Sequence, residues 1–248
     1  MDVGFKTDKG ISRFNNEDAC YVMVEKGVFI IADGVGGSSS GEIASRTATR
    51  FISQYVENNP INPEWGQEDM HLYFVKCLNR ANEMILDMGQ RFDENSGMAT
   101  TIVVAYIDGP LMYVFNLGDS RAYLYRRNEL VQITEDHTYV NHLVQRGEIT
   151  AEEALTHPDR NQITKALGAD EHIYPDMFLV TLEADDVIIM CTDGLYVEVP
   201  EEEIKGIIEK FEPMSETCSK LIDLANLNGG SDNITVISLK IDKEDINE

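Results

Sequence analysis

Three aspartates stand where apolar, strand-like runs begin or end. Asp33 follows Val28-Phe29-Ile30-Ile31-Ala32, Asp193 follows Val187–Thr192, and Asp232 precedes Ile234-Thr235-Val236-Ile237. If the last strand runs antiparallel to the other two, the three carboxylates meet at one edge of the sheets. Any one of them could be only a turn former, as Asp-Gly and Asp-Asn often are. Asp108-Gly109 is the same dipeptide and is read as a turn alone. Three together are harder to explain that way, because converging carboxylates repel unless cations neutralise them. The candidate ligands are hard oxygens. The five histidines are scattered, with no H-E-x-x-H and no cysteine cluster. That disfavours zinc and favours Mg²⁺ or Mn²⁺. Arg13, ahead of Glu17-Asp18, could hold a phosphate beside such a centre with its planar fork, or belong to a surface ion-pair loop. Two cations would make hydroxide available near neutral pH and neutralise a phosphate during in-line attack. Such chemistry needs no covalent protein intermediate, in keeping with the lack of an obvious activated cysteine.

Positioning these residues falls to short strands and a few long helices. Runs rich in Val, Ile, Tyr and Phe, bounded by Gly, Asp or Asn, predict strands over Ala19–Glu25, Val28–Ala32, Thr100–Ile107, Leu111–Leu117, Arg121–Arg126, Phe178–Leu182, Val187–Cys191 and Ile234–Ile241. Asp108-Gly109-Pro110 predicts a tight antiparallel connection. Helical periodicity covers Gly41–Glu57 and Asp69–Phe92, and further helices are expected over Glu201–Phe211 and Ser215–Leu227. The acidic run Glu201–Glu203 after Pro200 suits the positive end of a helix, and the tail 242–245 is expected to fray. Between two strand groups lies Thr138–Gly168, long and mostly polar, read as short helices with loops. The order fits an α+β sandwich with largely antiparallel sheets.

At 248 residues, 43% hydrophobic and 26% charged, the chain can bury a sizeable core as one large domain or two small ones. Acidic residues number 44 against 20 basic, a net charge of −24. That balance argues against a nucleic-acid binder and against docking on anionic membranes. No apolar run approaches the roughly 18–20 residues of a membrane span, and the N-terminus lacks a signal-peptide pattern. Cys20, Cys77, Cys191 and Cys218 form no C-x-x-C pair and are expected to be reduced core thiols of a cytoplasmic protein rather than a disulfide pair.

Asp33-Gly34-Val35-Gly36-Gly37, followed by Gly41-Glu42-Ile43-Ala44-Ser45, resembles the D-G-x-G-G…G-x-x-A-S element of the PPM family, the metal-dependent protein serine/threonine phosphatases, most closely the bacterial branch. Further elements follow in family order: Arg13…Asn16-Glu17-Asp18, Gly97–Thr101, Gly118-Asp119-Ser120-Arg121, Thr134-Glu135-Asp136-His137, Thr192–Leu195 and Asp232–Thr235. The resemblance spans essentially the whole chain. It implies a single catalytic domain, residues 1–248, built as a four-layer α-β-β-α sandwich of two mainly antiparallel sheets with a flap at about 138–168. It implies hydrolysis of phosphoserine and phosphothreonine in proteins with two or three Mn²⁺ or Mg²⁺ ions. Asp33 would bridge two ions, the Gly34 carbonyl would hold one, and Asp193 and Asp232 the other. Asp119 with Asp193 would hold a third. Glu17 and Asp18 would hold metal-bound waters, with Asn233 just outside the ligands, and Arg13 would bind the substrate phosphate. Two positions depart from the family. Val35 stands where many eukaryotic members have a histidine thought to protonate the leaving group. Val197, beside Glu198, stands where bacterial relatives often have an aspartate near the third ion. The implied partners are phosphorylated proteins, including a serine/threonine kinase and its targets, and the implied state is a monomer.

Two other readings compete. Gly118-Asp119-Ser120 also resembles the nucleophile block of a lipase or esterase family, but no D-x-x-H base follows. A non-catalytic metal-binding module is opposed by the intact Asp33, Asp193, Asp232 and Arg13 set. His137 could be a general acid or a structural group where a strand enters the insert. Within the insert, Arg146 and Arg160 are candidates to contact an acidic or phosphorylated peptide. Trp65 could anchor a loop or face a partner.

Overall fold

The computed structural model describes residues 1–36, 40–62, 64–91, 95–210 and 212–246. Gly37 of the glycine-rich element and the expected helix ends at Phe92 and Phe211 lie outside the described residues. In chain order the strands are β1 (Asp2–Asp8), β2 (Asp18–Met23), β3 (Val28–Val35), β4 (Ala99–Thr100), β5 (Ile102–Asp108), β6 (Leu111–Leu117), β7 (Arg121–Arg126), β8 (Glu129–Gln132), β9 (Asp176–Thr181), β10 (Val187–Cys191) and β11 (Ile234–Lys240). The helices are α1 (Ser40–Asn58), α2 (Gln67–Arg91), α3 (Tyr139–Gln145), α4 (Ala151–Thr156), α5 (Asp193–Tyr196), α6 (Glu201–Ile208) and α7 (Met214–Asn228).

β3 shows why the molecule is layered. Successive side chains of a strand point to opposite faces. Val28, Ile30 and Ala32 pack beneath α1 and α2, whereas Phe29 and Ile31 pack between the two sheets. A strand apolar on both faces must be covered on both. β10 repeats the pattern: Val187, Ile189 and Cys191 face α6 and α7, and Ile188 and Met190 face the other sheet. One sheet runs β2-β3-β5-β6-β9 with β4 beside the end of β3; the other runs β1-β11-β10-β7-β8. Every described strand pairing is antiparallel. The result is the expected α-β-β-α sandwich.

Register places the aspartates. Asp18 pairs directly with Asp33 across β2 and β3. Cys191 pairs with Val236 across β10 and β11, so Asp193 leaves one strand at the end where Asp232 enters the other. β3 does not stop at Ala32. Gly34 and Val35 pair with Thr100 and Ala99, so Asp33 lies within the strand rather than closing it. The predicted strand over Thr100–Ile107 is broken at Thr101, whose N–H donates to the Asp33 carbonyl at 2.8 Å. β1 and β8 were not expected from the pattern. β1 reads Asp-Val-Gly-Phe-Lys-Thr-Asp and sits at a sheet edge. β8 is a four-residue edge strand reached by a turn in which Arg127 and Asn128 both have positive φ, 52° and 67°. Asparagine suits that backbone, but arginine gives no signal for it. Asp108 pairs with Leu111 across the predicted tight connection. The 242–245 tail is tied rather than frayed, with Asp242 N–H donating to Asp245 at 2.7 Å and Ile241 N–H to the Asp186 carbonyl at 2.9 Å. Trp65 anchors its loop by packing on Tyr73, with ring centroids 5.4 Å apart.

The start of α1 meets β3 backbone to backbone. A Cβ on Gly34 would overlap the Gly41 carbonyl, and one on Gly41 would overlap the Glu17 carboxylate and lie 2.7 Å from the Gly34 oxygen. Alanine is the better helix former by roughly 1 kcal/mol, yet overpacking a tight contact costs about 1–3 kcal/mol. Gly41→Ala should therefore lower stability in urea unfolding. A variant as stable as the parent would show that the close approach of α1 to β3 is not constrained.

Candidate active site

Strands, turns and a helix start bring five aspartates to one cleft floor, each from a different place in the chain. Asp18 begins β2, Asp33 lies opposite it, Asp119 occupies the β6–β7 turn, Asp193 opens α5 and Asp232 precedes β11. Asp18 is 4% exposed and Asp119 6%, while the other three are partly buried. Asp18 Oδ2 accepts hydrogen bonds from Thr192 at 2.8 Å and from Thr235 at 2.7 Å. Its Oδ1 is buried without a protein partner, and so is Oδ1 of Asp193.

These carboxyls suppress one another's ionisation. Burial, then the charges of Asp193 and Asp232, push Asp18 up to about 7 against two stabilising threonine bonds. Burial, then Asp193 and Asp136, push Asp119 up to about 7. Burial and then Asp232 raise Asp193 to about 6, against the opposing charge of Arg13. Asp33, withdrawn from water and facing four other carboxylates, lies well above its ordinary value. Burial also raises Glu17, and Arg13 opposes it. Arg13 is a cation at this end. Its guanidinium meets Asp232 Oδ2 at 2.6 Å and is 52% exposed. Arg121 is committed elsewhere, forked onto Asp136 and stacked 3.6 Å from the centroid of the Tyr196 ring.

A donor set of carboxylate oxygens, two of them orphaned and buried, fits divalent cations. Among the described residues, no three His, Cys, Asp or Glu side chains gather closely enough to cage an ion unaided. An ion here would take part of its coordination from water and backbone carbonyls, as Mg²⁺ habitually does. The Gly34 oxygen lies at the start of α1, beside Glu17.

The surroundings hold the site in shape. Asn233 pins the Arg13 loop: its Oδ1 accepts Glu17 N–H at 2.7 Å, and its Nδ2 donates to the Lys9 and Asn15 carbonyls at 2.8 Å. Ser45 Oγ donates to the Glu17 carbonyl at 2.5 Å. Thr101 Oγ1 accepts Asp33 N–H at 2.9 Å and shares a 2.7 Å bond with Ser120. Ser120 is wholly buried in that contact, which removes it as an esterase nucleophile. Thr101, Thr192 and Thr235 lie within the recognised motifs but had no role assigned from the sequence, and Tyr196, whose hydroxyl donates to the Asp119 carbonyl at 3.0 Å, carried no signal there. Their role exists only once distant strands pair.

The insert overhangs one side. A cavity of about 410 Å³ lies between α3, α4 and α5, with Asp119, Asp193, Val197 and Arg160 in its lining. Arg146 does not line it and instead pairs with Glu148 at 2.8 Å. Glu198 turns away from Val197, its Oε1 accepting Ser231 N–H at 3.1 Å, so it supplies no carboxylate at Val197's place. Val35 is 41% exposed and offers no proton. Larger grooves beside the β5–β6 turn and the C-terminus of α1 lie at the other end of β3 and hold no such aspartate cluster. No described helix is long and apolar enough to cross a membrane.

Comparison with known proteins agrees with this geometry. The family model for protein phosphatase 2C matches residues 11–228. The serine/threonine phosphatase stp of Listeria monocytogenes is 35% identical over 246 residues, covering 98% of this chain and 96% of that protein. Protein phosphatase PhpP of Streptococcus pneumoniae is 35% identical over 249 residues, covering 99% of each. Among solved structures, the serine/threonine phosphatase Stp1 of Staphylococcus aureus superposes with a TM-score of 0.90 at 35% identity, covering 98% of this chain and 96% of that one. The catalytic domain of the phosphatase PstP in complex with two manganese ions superposes at 0.83 with 31% identity, covering 95% and 96%. A family match across most of the chain, whole-length relatives and a shared sandwich lead to one conclusion: this chain belongs to the protein phosphatase 2C family.

Proposed function

We propose that this protein hydrolyses phosphoserine and phosphothreonine in protein substrates by metal-assisted attack of water on phosphorus. The observation that carries the reading is the cleft floor itself, where Asp18, Asp33, Asp119, Asp193 and Asp232 converge, with Arg13 bonded to Asp232. When bound, two divalent cations, Mn²⁺ or Mg²⁺, would neutralise the phosphate and lower the pKa of water. Asp33 and the Gly34 carbonyl would hold one of them, and Asp33, Asp193 and Asp232 the other. Asp119 with Asp193 would hold a third, against an apolar neighbour in Val197. Asp18 and Glu17 would orient water, Asp18 through its unpartnered Oδ1. Asn233 keeps the Glu17–Arg13 loop in reach, and Arg13 would turn its planar fork to the substrate phosphate. Val35 supplies no acid, so solvent would protonate the leaving serine or threonine oxygen.

Residues 1–248 would act as one catalytic domain with the flap at about 138–168. Phosphorylated proteins, a serine/threonine kinase and its targets among them, would be the substrates. Arg160 in the cavity lining supports contact with an acidic or phosphorylated segment; Arg146, paired with Glu148, would contribute only from the rim. The four free cysteines support a reducing, cytoplasmic setting, and the absence of nucleic-acid or membrane partners follows from the charge of −24. A monomer is expected in sedimentation. Incubation with a phosphorylated lysate and Mn²⁺ should strip phosphoserine and phosphothreonine sites and spare phosphotyrosine; a lysate left unchanged would refute the assignment.

Asp33→Asn and Asp193→Asn should each reduce kcat by roughly a hundredfold or more, as loss of a preorganised charge does, while the melting transition stays cooperative. Near-normal turnover by either at low Mn²⁺ would remove that residue from the site.

The arginines should separate. Arg13→Ala should raise KM for both an aryl phosphate and a phosphopeptide, with a smaller loss in kcat. Arg160→Ala should slow only the phosphopeptide. Unchanged KM in the first variant would reduce Arg13 to an ion pair, and equal losses on both substrates in the second would make the flap part of the chemistry.

Stability should report the cations directly. Asp18, Asp119 and Asp193 have folded values of about 7, 7 and 6, above the unfolded value of about 3.9. A raised carboxyl favours the protonated native state, so this part of the stability is complete below about pH 4 and is lost as pH rises through 6–7. The melting temperature of chelator-treated protein should fall between pH 5 and 7.5. Millimolar Mn²⁺ should cancel the fall, contributing about 2.7 kcal/mol at a hundredfold excess over Kd. Curves indifferent to both chelator and Mn²⁺ would contradict the site.

A further inference from the structure

The turn carrying Asp119 is gripped on both flanks. On one side Ser120 is bound to Thr101. On the other, Gly118 N–H donates to His137 Nδ1 at 3.0 Å, and His137 N–H donates back to the Gly118 carbonyl at 3.0 Å. His137 is 5% exposed, and its contacts fix its chemistry. A backbone N–H only donates, so Nδ1 carries a lone pair and the ring proton sits on Nε2. Nε2–H then donates to Asp176 Oδ2 at 3.1 Å. Lys165 Nζ lies 3.0 Å from the same nitrogen, where two donors form no bond, and donates instead to Asp176 Oδ1 at 3.2 Å. Burial, with help from Lys165, holds the imidazole below its ordinary value despite Asp176, in keeping with the neutral ring this arrangement requires.

The same residue stands at both roots of the flap. Thr138, next in the chain, bridges to Ile163, and Thr164 N–H donates to the His137 carbonyl at 2.8 Å. Lys165 belongs to the returning segment, and Asp176 opens β9. A histidine that merely filled space would not need its two ring nitrogens used in opposite senses by two separate segments.

We propose that His137 is a positioning residue with two separable outputs: Nδ1 holds the Asp119 turn through Gly118, and Nε2–H, through Asp176 and Lys165, holds the flap's returning segment. The first output rests on the phosphatase reading of Asp119; the mechanical coupling does not. Two conservative variants split the outputs. In His137→Asn the amide oxygen reaches the Nδ1 position as an acceptor but nothing reaches Asp176. In His137→Gln the amide nitrogen reaches the Nε2 position as a donor and leaves Gly118 unpaired. His137→Leu removes both.

The test combines amide hydrogen exchange of the full-length protein with steady-state kinetics in Mn²⁺ and calorimetric Mn²⁺ titration. His137→Asn should keep slow exchange and normal kcat for 117–120 and an aryl phosphate respectively, while exchange at 163–166 quickens and KM for a phosphopeptide rises. His137→Gln should do the reverse, with faster exchange at 117–120, weaker Mn²⁺ binding and kcat lower by about tenfold, the scale of one unsatisfied buried donor. His137→Leu should show both defects; should it fail to fold, the Asn and Gln variants still decide. Identical profiles for Asn and Gln, or unchanged exchange at 117–120 in both His137→Gln and His137→Leu, would overturn the proposal. A wild-type protein inactive on every phosphoester would defeat the phosphatase reading instead, and the exchange pattern would still judge the coupling.

Discussion

Asp18 sits at the end of the core between the sheets, and its carboxylate belongs to both. It starts β2 in one sheet, and the hydroxyls that bind it come from the other, Thr192 just after β10 and Thr235 within β11. Apolar packing between sheets is non-directional and tolerates sliding. Two charge-assisted bonds to one oxygen do not, because they are short and angle-dependent. At this end the sheets are therefore registered by chemistry as well as by shape. Since Asp18 lies opposite Asp33, the same contact sets where Asp33 stands relative to Asp193 and Asp232.

That registration concentrates negative charge where water is scarce. The opposing tendencies are visible in single residues: hydrogen bonds favour the ionised Asp18, and burial with neighbouring aspartates overrides them. Asp186, 1% exposed, receives a two-pronged bond from Arg126, and Asp136 receives one from Arg121. Arginine was available to this architecture as a partner for buried carboxylates, yet among the described residues at the cleft floor only Asp232 is bonded to one, Arg121 acting on Asp119 from its fork on Asp136. The contrast within one molecule argues that charge compensation at the cleft is meant to come from outside the chain.

The polar flap follows from the same geometry. Its helices are short and capped locally, α4 by a box in which Thr150 and Glu153 satisfy each other's backbone N–H groups. It has little core of its own, so its placement depends on its roots. Those roots meet at His137, beside the turn that carries Asp119. The polar insert and the turn that carries Asp119 thus share a boundary while being built from segments of opposite character.

Much was readable from the chain. Alternating apolar runs such as Val28–Ala32 and Val187–Cys191 announced strands covered on both faces, because side-chain alternation is a local property. The placement of Asp33, Asp193 and Asp232 beside apolar runs pointed to the aspartate cluster, and the structure brings Arg13 and Glu17 next to it. The sequence could not show that β3 continues through Asp33, since pairing of Gly34 and Val35 with β4 depends on residues more than sixty positions away. Nor could it show the threonines that orient the aspartates, Ser120 sealed against Thr101, Glu198 turned from Val197, or the two-way grip of His137. Composition and periodicity determined which segments are strands, which are helices and which residues could do chemistry. Only the tertiary structure decided which of those residues face one another, because register and hydrogen-bond direction are set between segments that meet in space and not along the chain.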